Sequence, residues 1–168
     1  MRRTASLAFV ALSIVWLLGA SPAQANEGIT AQLNGFEETP VTLLGDGTGV
    51  FLGLIPTDQN TIVFQLFYTD LSGTPTAAHI HFGKPGESGG VAAFLCGGST
   101  KPACPASGTF FQGVIAPADV LALPAQDLAA GDLAGLIRAI NSGFAYVNVH
   151  TAAHPPGEIR GQLKGSGR

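Results

Sequence analysis

The sequence predicts an all-β fold, a Greek-key-type β-sandwich with one or two short helices between its late strands. Three observations carry that reading. Short apolar runs rich in β-branched and aromatic residues recur along the chain, and Gly, Pro or Asp punctuates each of them. Twenty-three glycines and eleven prolines supply tight turns, glycine because it tolerates positive φ and proline because its φ is preset. Only the stretch between Pro117 and Ser142 turns to helical spacing.

The elements follow in order. Arg2 and Arg3 precede an almost wholly apolar run from Leu7 to Ala20, and Ala23-Gln24-Ala25 then places small residues where a signal peptidase reads them. Residues 1–25 are therefore expected to be a cleaved secretory signal, since the run is shorter than the ~20 residues that span a bilayer. Residues 26–168 remain as one secreted or periplasmic domain, and no later segment is long enough to span a membrane. In that domain Ile29, Ala31 and Leu33 alternate with polar neighbours, and a GDGTG turn leads into VFLGLI. The runs TIVFQLFYTDL, AAHIHFG, VAAFLC and TFFQGVI read as further strands. APADVLAL begins with Pro and Asp as a helix would, and DLAGLIRAI carries Leu133, Leu136, Ile137 and Ile140 on one helical face. FAYVNVHT and EIRGQL return to strands, joined by the turn HPPG.

Charge excludes two classes of partner. Removing Arg2 and Arg3 from eight basic against eleven acidic side chains leaves a formal charge of −5. Nucleic acid and anionic membrane surfaces both call for clustered Lys and Arg, so neither is expected as a partner. Cys96 and Cys104 bracket the loop GGSTKPA, and in an oxidising compartment a disulfide between them is expected. A thiolate metal pair would want closer spacing and further ligands nearby.

The histidines concentrate. In a strand, residues i and i+2 share a face ~6.6 to 6.8 Å apart, so His79 and His81 project together while Ile80 and Phe82 point the other way. The same split puts Tyr146, Asn148 and His150 opposite Val147 and Val149. It puts Glu158, Arg160 and Gln162 opposite Ile159 and Leu163. If the three strands are neighbours, His79, His81 and His150 converge as candidate ligands for copper or zinc. Glu158 then serves to fix a tautomer, Tyr146, Asn148 and Arg160 surround the set, and His154 in the turn is a weaker fourth ligand. The competing reading is structural: an antiparallel sheet shows one polar face to water, and histidines there merely satisfy hydrogen bonds. Arg160 is expected to fork onto a carboxylate or backbone carbonyls, and Tyr146 to pack across strands. GKPGESGG reads as a flexible loop. No serine elbow, telling carboxylate pair, free cysteine nucleophile or phosphate-cradling loop is present.

LNGFEETP, GDGTGVFL, TAAHIHFGKPGESGGVAAFL and FAYVNVHTAAHPPGEIRGQL, in that order, resemble the CHRD domain, named after the repeated domain of chordin. The similarity runs from about Ile29 to Leu163, and HIHFG and YVNVHT…PGEIRGQL are its specific part. The resemblance implies an extracellular β-rich domain with no established enzymatic reaction, in a family that includes a growth-factor-binding protein. Its matching residues are His79, His81, Tyr146, Asn148, His150, Thr151, Gly157, Glu158, Arg160 and Gly161. The loop with Cys96 and Cys104 departs from the pattern, and His154 stands where a small or polar residue is usual. HIHFG is also similar to the HVHxFG strand of copper–zinc superoxide dismutase, whose two metals need more than the four histidines present.

The expected function is that of a non-enzymatic binding module for an extracellular or envelope protein or a surface ligand, with copper or zinc as the ion a metal site would take. The alternatives are a copper-dependent redox enzyme of superoxide dismutase-like type using His79, His81 and His150, and a purely structural envelope protein.

Overall fold

The computed structural model describes residues 26–98 and 100–165, so the expected secretory signal lies outside the described residues. Among the described residues nine strands are formed: β1 Glu27–Asn34, β2 Thr48–Ile55, β3 Ile62–Thr69, β4 Pro75–Phe82, β5 Gly90–Gly97, β6 Phe110–Ile115, β7 Ala145–Thr151, β8 Ile159–Gln162 and β9 Lys164–Gly165. They pair antiparallel in the order β5-β4-β7-β8-β1-β2-β3-β6, with β9 on β1. β7 returns past β5 and β6 to pair with β4, which is the Greek-key crossing. The sandwich takes the form of one sheet curled until its two ends, β5 and β6, touch without a ladder between them.

Period-two alternation fills the space inside. Ile29, Ala31 and Leu33 of β1 meet Phe51 and Ile55 of β2 and Ile62, Phe64 and Leu66 of β3, all at most 3 % exposed. Phe51 and Phe64 stack with centroids 5.8 Å apart, and Phe111 of β6 meets Phe64 edge-on. From the other half of the sheet come Ile80, Val147, Val149 and Ile159.

One of the two expected helices is an α-helix. α1, Leu133–Asn141, buries Leu133, Leu136, Ile137 and Ile140, and the Asp132 carboxylate caps it by accepting from Gly135 N at 2.7 Å. The APADVLAL segment instead makes a 3-10 turn at Pro117–Asp119, and a second follows at Pro124–Gln126. Pro117 suits the opening of any helix, but Pro124, seven positions on, has no N–H to donate to the Val120 carbonyl and so bars an α-helix from running through it.

The seam between β5 and β6 is covered by local straps. Cys96 and Cys104 form the expected disulfide, with Cα atoms 4.9 Å apart. Lys101 crosses from this loop to donate to the Val114 carbonyl at 3.1 Å and to pair with Asp119 at 2.9 Å. Leu121 N donates to Ala92 O on the outer edge of β5. Two edge carbonyls that would otherwise invite another strand, Val114 O and Ala92 O, are thereby occupied.

Candidate metal centre

The strands carrying the polar residues are neighbours, in the order β4-β7-β8. Register aligns His81 with Tyr146 and Tyr146 with Gln162, and aligns His79 with Asn148 and Asn148 with Arg160. Since Ile80, Val147, Val149 and Ile159 face the core, the pleat turns the polar set outward. Register shifts in the β4–β5 pairing fall just before His79 and just before His81, where bulges re-aim side chains.

This outer face is not solvated, contrary to what alternation alone suggests. His79 is 8 % exposed, His81 7 %, Tyr146 and Asn148 3 %, and Arg160 2 %. Two loops lie over it. One follows β1, where Glu38 accepts from Asn148 Nδ2 and Thr39 Oγ1 accepts from Arg160 Nη1 at 2.6 Å. The other is the glycine-rich connection between β4 and β5, held by five hydrogen bonds that involve side chains and far from free. Arg160 Nη2 donates to Lys84 O, Gln162 Nε2 to Gly83 O, His81 Nδ1 to Gly89 O and Gly89 N to the Tyr146 hydroxyl, while Thr39 and Ser88 share a hydroxyl bond. A side chain at Gly89 would overlap the Phe82 carbonyl, so only glycine lets this backbone lie so close.

One ring nitrogen from each of His79, His81 and His150 lies within 4.8 Å of the other two. His81 Nδ1–H donates to Gly89 O at 3.0 Å and His150 Nδ1–H to Pro155 O at 2.9 Å. A nitrogen that donates to a carbonyl carries the ring's proton, so each Nε2 presents a lone pair. The Nε2 of His81 is buried with no hydrogen-bond partner, as is that of His79. His79 Nδ1 stands 3.1 Å from His150 Nε2. That separation suits either a hydrogen bond or two ligands of one ion, whose nitrogens sit about 3.3 Å apart around a tetrahedral centre. Burial, reinforced by the neighbouring imidazoles, pushes His79 down to about 3. Burial pushes His81 down to about 4 and also lowers His150. All three are neutral at pH 7, the state in which imidazole ligates.

Two expectations need correction. Glu158 fixes no histidine tautomer: its carboxylate accepts from Ser72 N and from Thr151 Oγ1, and backbone carbonyls orient the imidazoles instead. His154 does not join the three. It lines a separate cleft of about 340 Å³ with Gly35, Asp46, Asp70, Ser72 and Glu158. Arg160 forks as expected, but onto Thr39 Oγ1 and the Lys84 carbonyl and not onto Glu158. Its guanidinium also lies over Tyr146, whose other flanking strand brings His81 parallel to the same ring.

Sequence reasoning missed Glu38, Thr39, Gly89 and Pro155. The last two act through carbonyls, which leave no side-chain signature. Glu38 had a faint signal, a carboxylate within LNGFEETP beside a 3-10 turn capped by Asn34.

The family model for the CHRD domain matches residues 29–163, from the third residue of β1 through Leu163. The chain belongs to the CHRD domain family. The match includes every strand that builds the histidine cluster and both loops that cover it. Neither the curated proteins nor the solved structures contain a match to this CHRD chain. Among the described residues no helix is long and apolar enough to cross a membrane.

Proposed function

We propose that this CHRD domain is an exported, non-enzymatic binding module that holds one transition-metal ion, copper or zinc, between His79, His81 and His150. The supporting observation is the pair of buried, partnerless Nε2 atoms on His79 and His81 inside a three-imidazole cluster. Buried polar atoms are nearly always satisfied, so the orphaned lone pair of His81 Nε2, beside the close His79–His150 nitrogen pair, asks for a partner. Structural histidines would be expected to bond one another or the backbone through both nitrogens. A superoxide dismutase-like reaction fits less well, because His154, the remaining histidine, lies in the neighbouring cleft.

The test is metal titration of the untagged chain, residues 26–168, followed by calorimetry. One equivalent bound in the wild type and none in a His79→Gln, His81→Gln double variant supports the reading. Equal behaviour of the two proteins removes it.

The module's second face is a surface for a protein or surface ligand. Its support is an apolar patch on the outside of β2, β3 and β6, where Leu52, Leu54, Val63, Phe110 and Val114 are each more than 40 % exposed. Leu54, Val63 and Val114 align in one cross-strand row. Patches of this kind mark interaction sites. Leu54→Lys with Val114→Lys should abolish capture of an envelope partner without lowering the melting temperature.

A further inference from the structure

The chemistry of the histidine cluster separates monovalent from divalent ions, an inference that rests on the metal-site reading above. Three neutral imidazoles make up the whole donor set, and no Cys, Asp or Glu among the described residues joins them. Glu38 and Glu158 turn their oxygens elsewhere: Glu38 accepts from Asn148, and Glu158 from Ser72 N and Thr151 Oγ1. A dication entering the cluster therefore meets no anionic ligand. Ion desolvation scales with the square of the charge, so a doubly charged ion loses about four times as much solvation as a singly charged one.

The surroundings add to this. Zn²⁺ prefers four ligands and completes a three-histidine set with water or an anion. Here the flanks are aromatic: Phe94 meets His79 edge-on at 4.3 Å, and Tyr146 stacks on His81 at 4.7 Å with its ring planes 5° from parallel. The Tyr146 hydroxyl is itself used by Gly89 N. Behind Tyr146 lies a full positive charge, the Arg160 guanidinium, 3.5 Å from the ring centroid. That charge opposes any cation in the cluster, and a dication twice as strongly as a monocation.

We propose that the cluster formed by His79, His81 and His150 is selective for a soft monovalent ion, Cu⁺, in preference to Zn²⁺ and Cu²⁺. Ag⁺, of like charge and softness and inert to redox change, should occupy it too.

The experiment uses the untagged chain, residues 26–168. Cu⁺ is titrated anaerobically against a chromophoric Cu⁺ chelator, Zn²⁺ against a chromophoric Zn²⁺ chelator, and Ag⁺ by competition with bound Cu⁺. The expected result is binding of Cu⁺ and Ag⁺ more than about a hundredfold tighter than Zn²⁺, a difference of roughly 2.7 kcal/mol. Phe94→Glu, which sets a carboxylate beside His79, should shrink that ratio at least tenfold. The wild-type ratio decides alone where the variant does not fold. Zn²⁺ binding that equals or exceeds Cu⁺ and vanishes in the histidine double variant overturns the selectivity while leaving the metal site standing. Binding of no ion removes both.

Discussion

The guanidinium of Arg160 lies 3.5 Å from the centre of the Tyr146 ring. Arg160 is 2 % exposed, and its Nη1 and Nη2 hold the two loops that roof the histidines through Thr39 Oγ1 and the Lys84 carbonyl. A planar, forked, weakly hydrated cation can stack and bond sideways at once, whereas an ammonium cannot. Arg160→Lys should therefore destabilise the fold by about 2 to 3 kcal/mol, read from urea unfolding. Tyr146→Phe keeps the stack and loses only the acceptor for Gly89 N, with an expected cost of about 1 kcal/mol.

Gly89 tests whether the roof prepares the site. Alanine there collides with the Phe82 carbonyl, so the loop must lift and take the His81 anchor with it. Losing an outer-shell partner of a ligating histidine lowers metal affinity about 10- to 100-fold. Gly89→Ala should show that loss while its far-ultraviolet circular dichroism still reports the sheet. Unchanged affinity would mean that the Gly89 carbonyl does not prepare His81.

Glu38 gives the fold a pH dependence of definite sign. Burial raises its carboxyl from 4.5 to about 7, against the lowering effect of the bond from Asn148. The folded state thus holds the proton more tightly than the unfolded one. This contribution is complete below pH 4.5 and is lost as pH rises through 7. Glu38→Gln, neutral throughout, should be more stable than wild type near pH 8 by roughly 1 to 3 kcal/mol and should flatten the slope.

The buried imidazoles act in the opposite sense. His79 and His81 fall from 6.5 to about 3 and about 4, so the unfolded chain takes up protons that the fold refuses. Their contribution is intact above pH 6.5 and is lost as pH drops toward 4. Metal-free His79→Gln should soften this acid limb in thermal unfolding, and an unchanged limb would place the titration elsewhere.

The disulfide encloses a short loop, with a sequence separation of 8. Chain-entropy arguments give about 2.5 kcal/mol for a loop of that size. Replacing both cysteines by alanine should cost about that much in denaturant unfolding. The β-sheet signal should persist, because a domain of ~140 residues has a core sufficient without staples.

Much of this was legible in the chain. Period two in HIHF, YVNVH and EIRGQ assigns His79, His81, Tyr146, Asn148, His150 and Arg160 to one face of their strands and Ile80, Val147 and Ile159 to the other. Leu133, Leu136, Ile137 and Ile140 fix the helix by their spacing. The APADVLAL segment was misleading because Pro117 and Asp119 suit the first turn of any helix, and a 3-10 turn shares that start. Glu158 was assigned to the wrong partner for a related reason. Alternation gives the face of a strand but not the distance along it, and the carboxylate reaches Ser72 and Thr151 instead.

Taken alone, the sequence determined which residues could share a face, because the pleat of a strand is a local property with a period of two. It also determined the disulfide partners, there being only two cysteines. The tertiary structure decided what that face became. Setting β4 beside β7 and β7 beside β8 is a pairing between segments some 70 and 10 residues apart in register, His79 with Asn148 and Asn148 with Arg160. Laying the Glu38 and Gly89 loops across them turned a face that would have been wet into a buried one. Such coverage depends on long-range bonds, Arg160 to Lys84 and Gln162 to Gly83, whose acceptors are main-chain carbonyls common to every residue type and so carry no mark in the sequence.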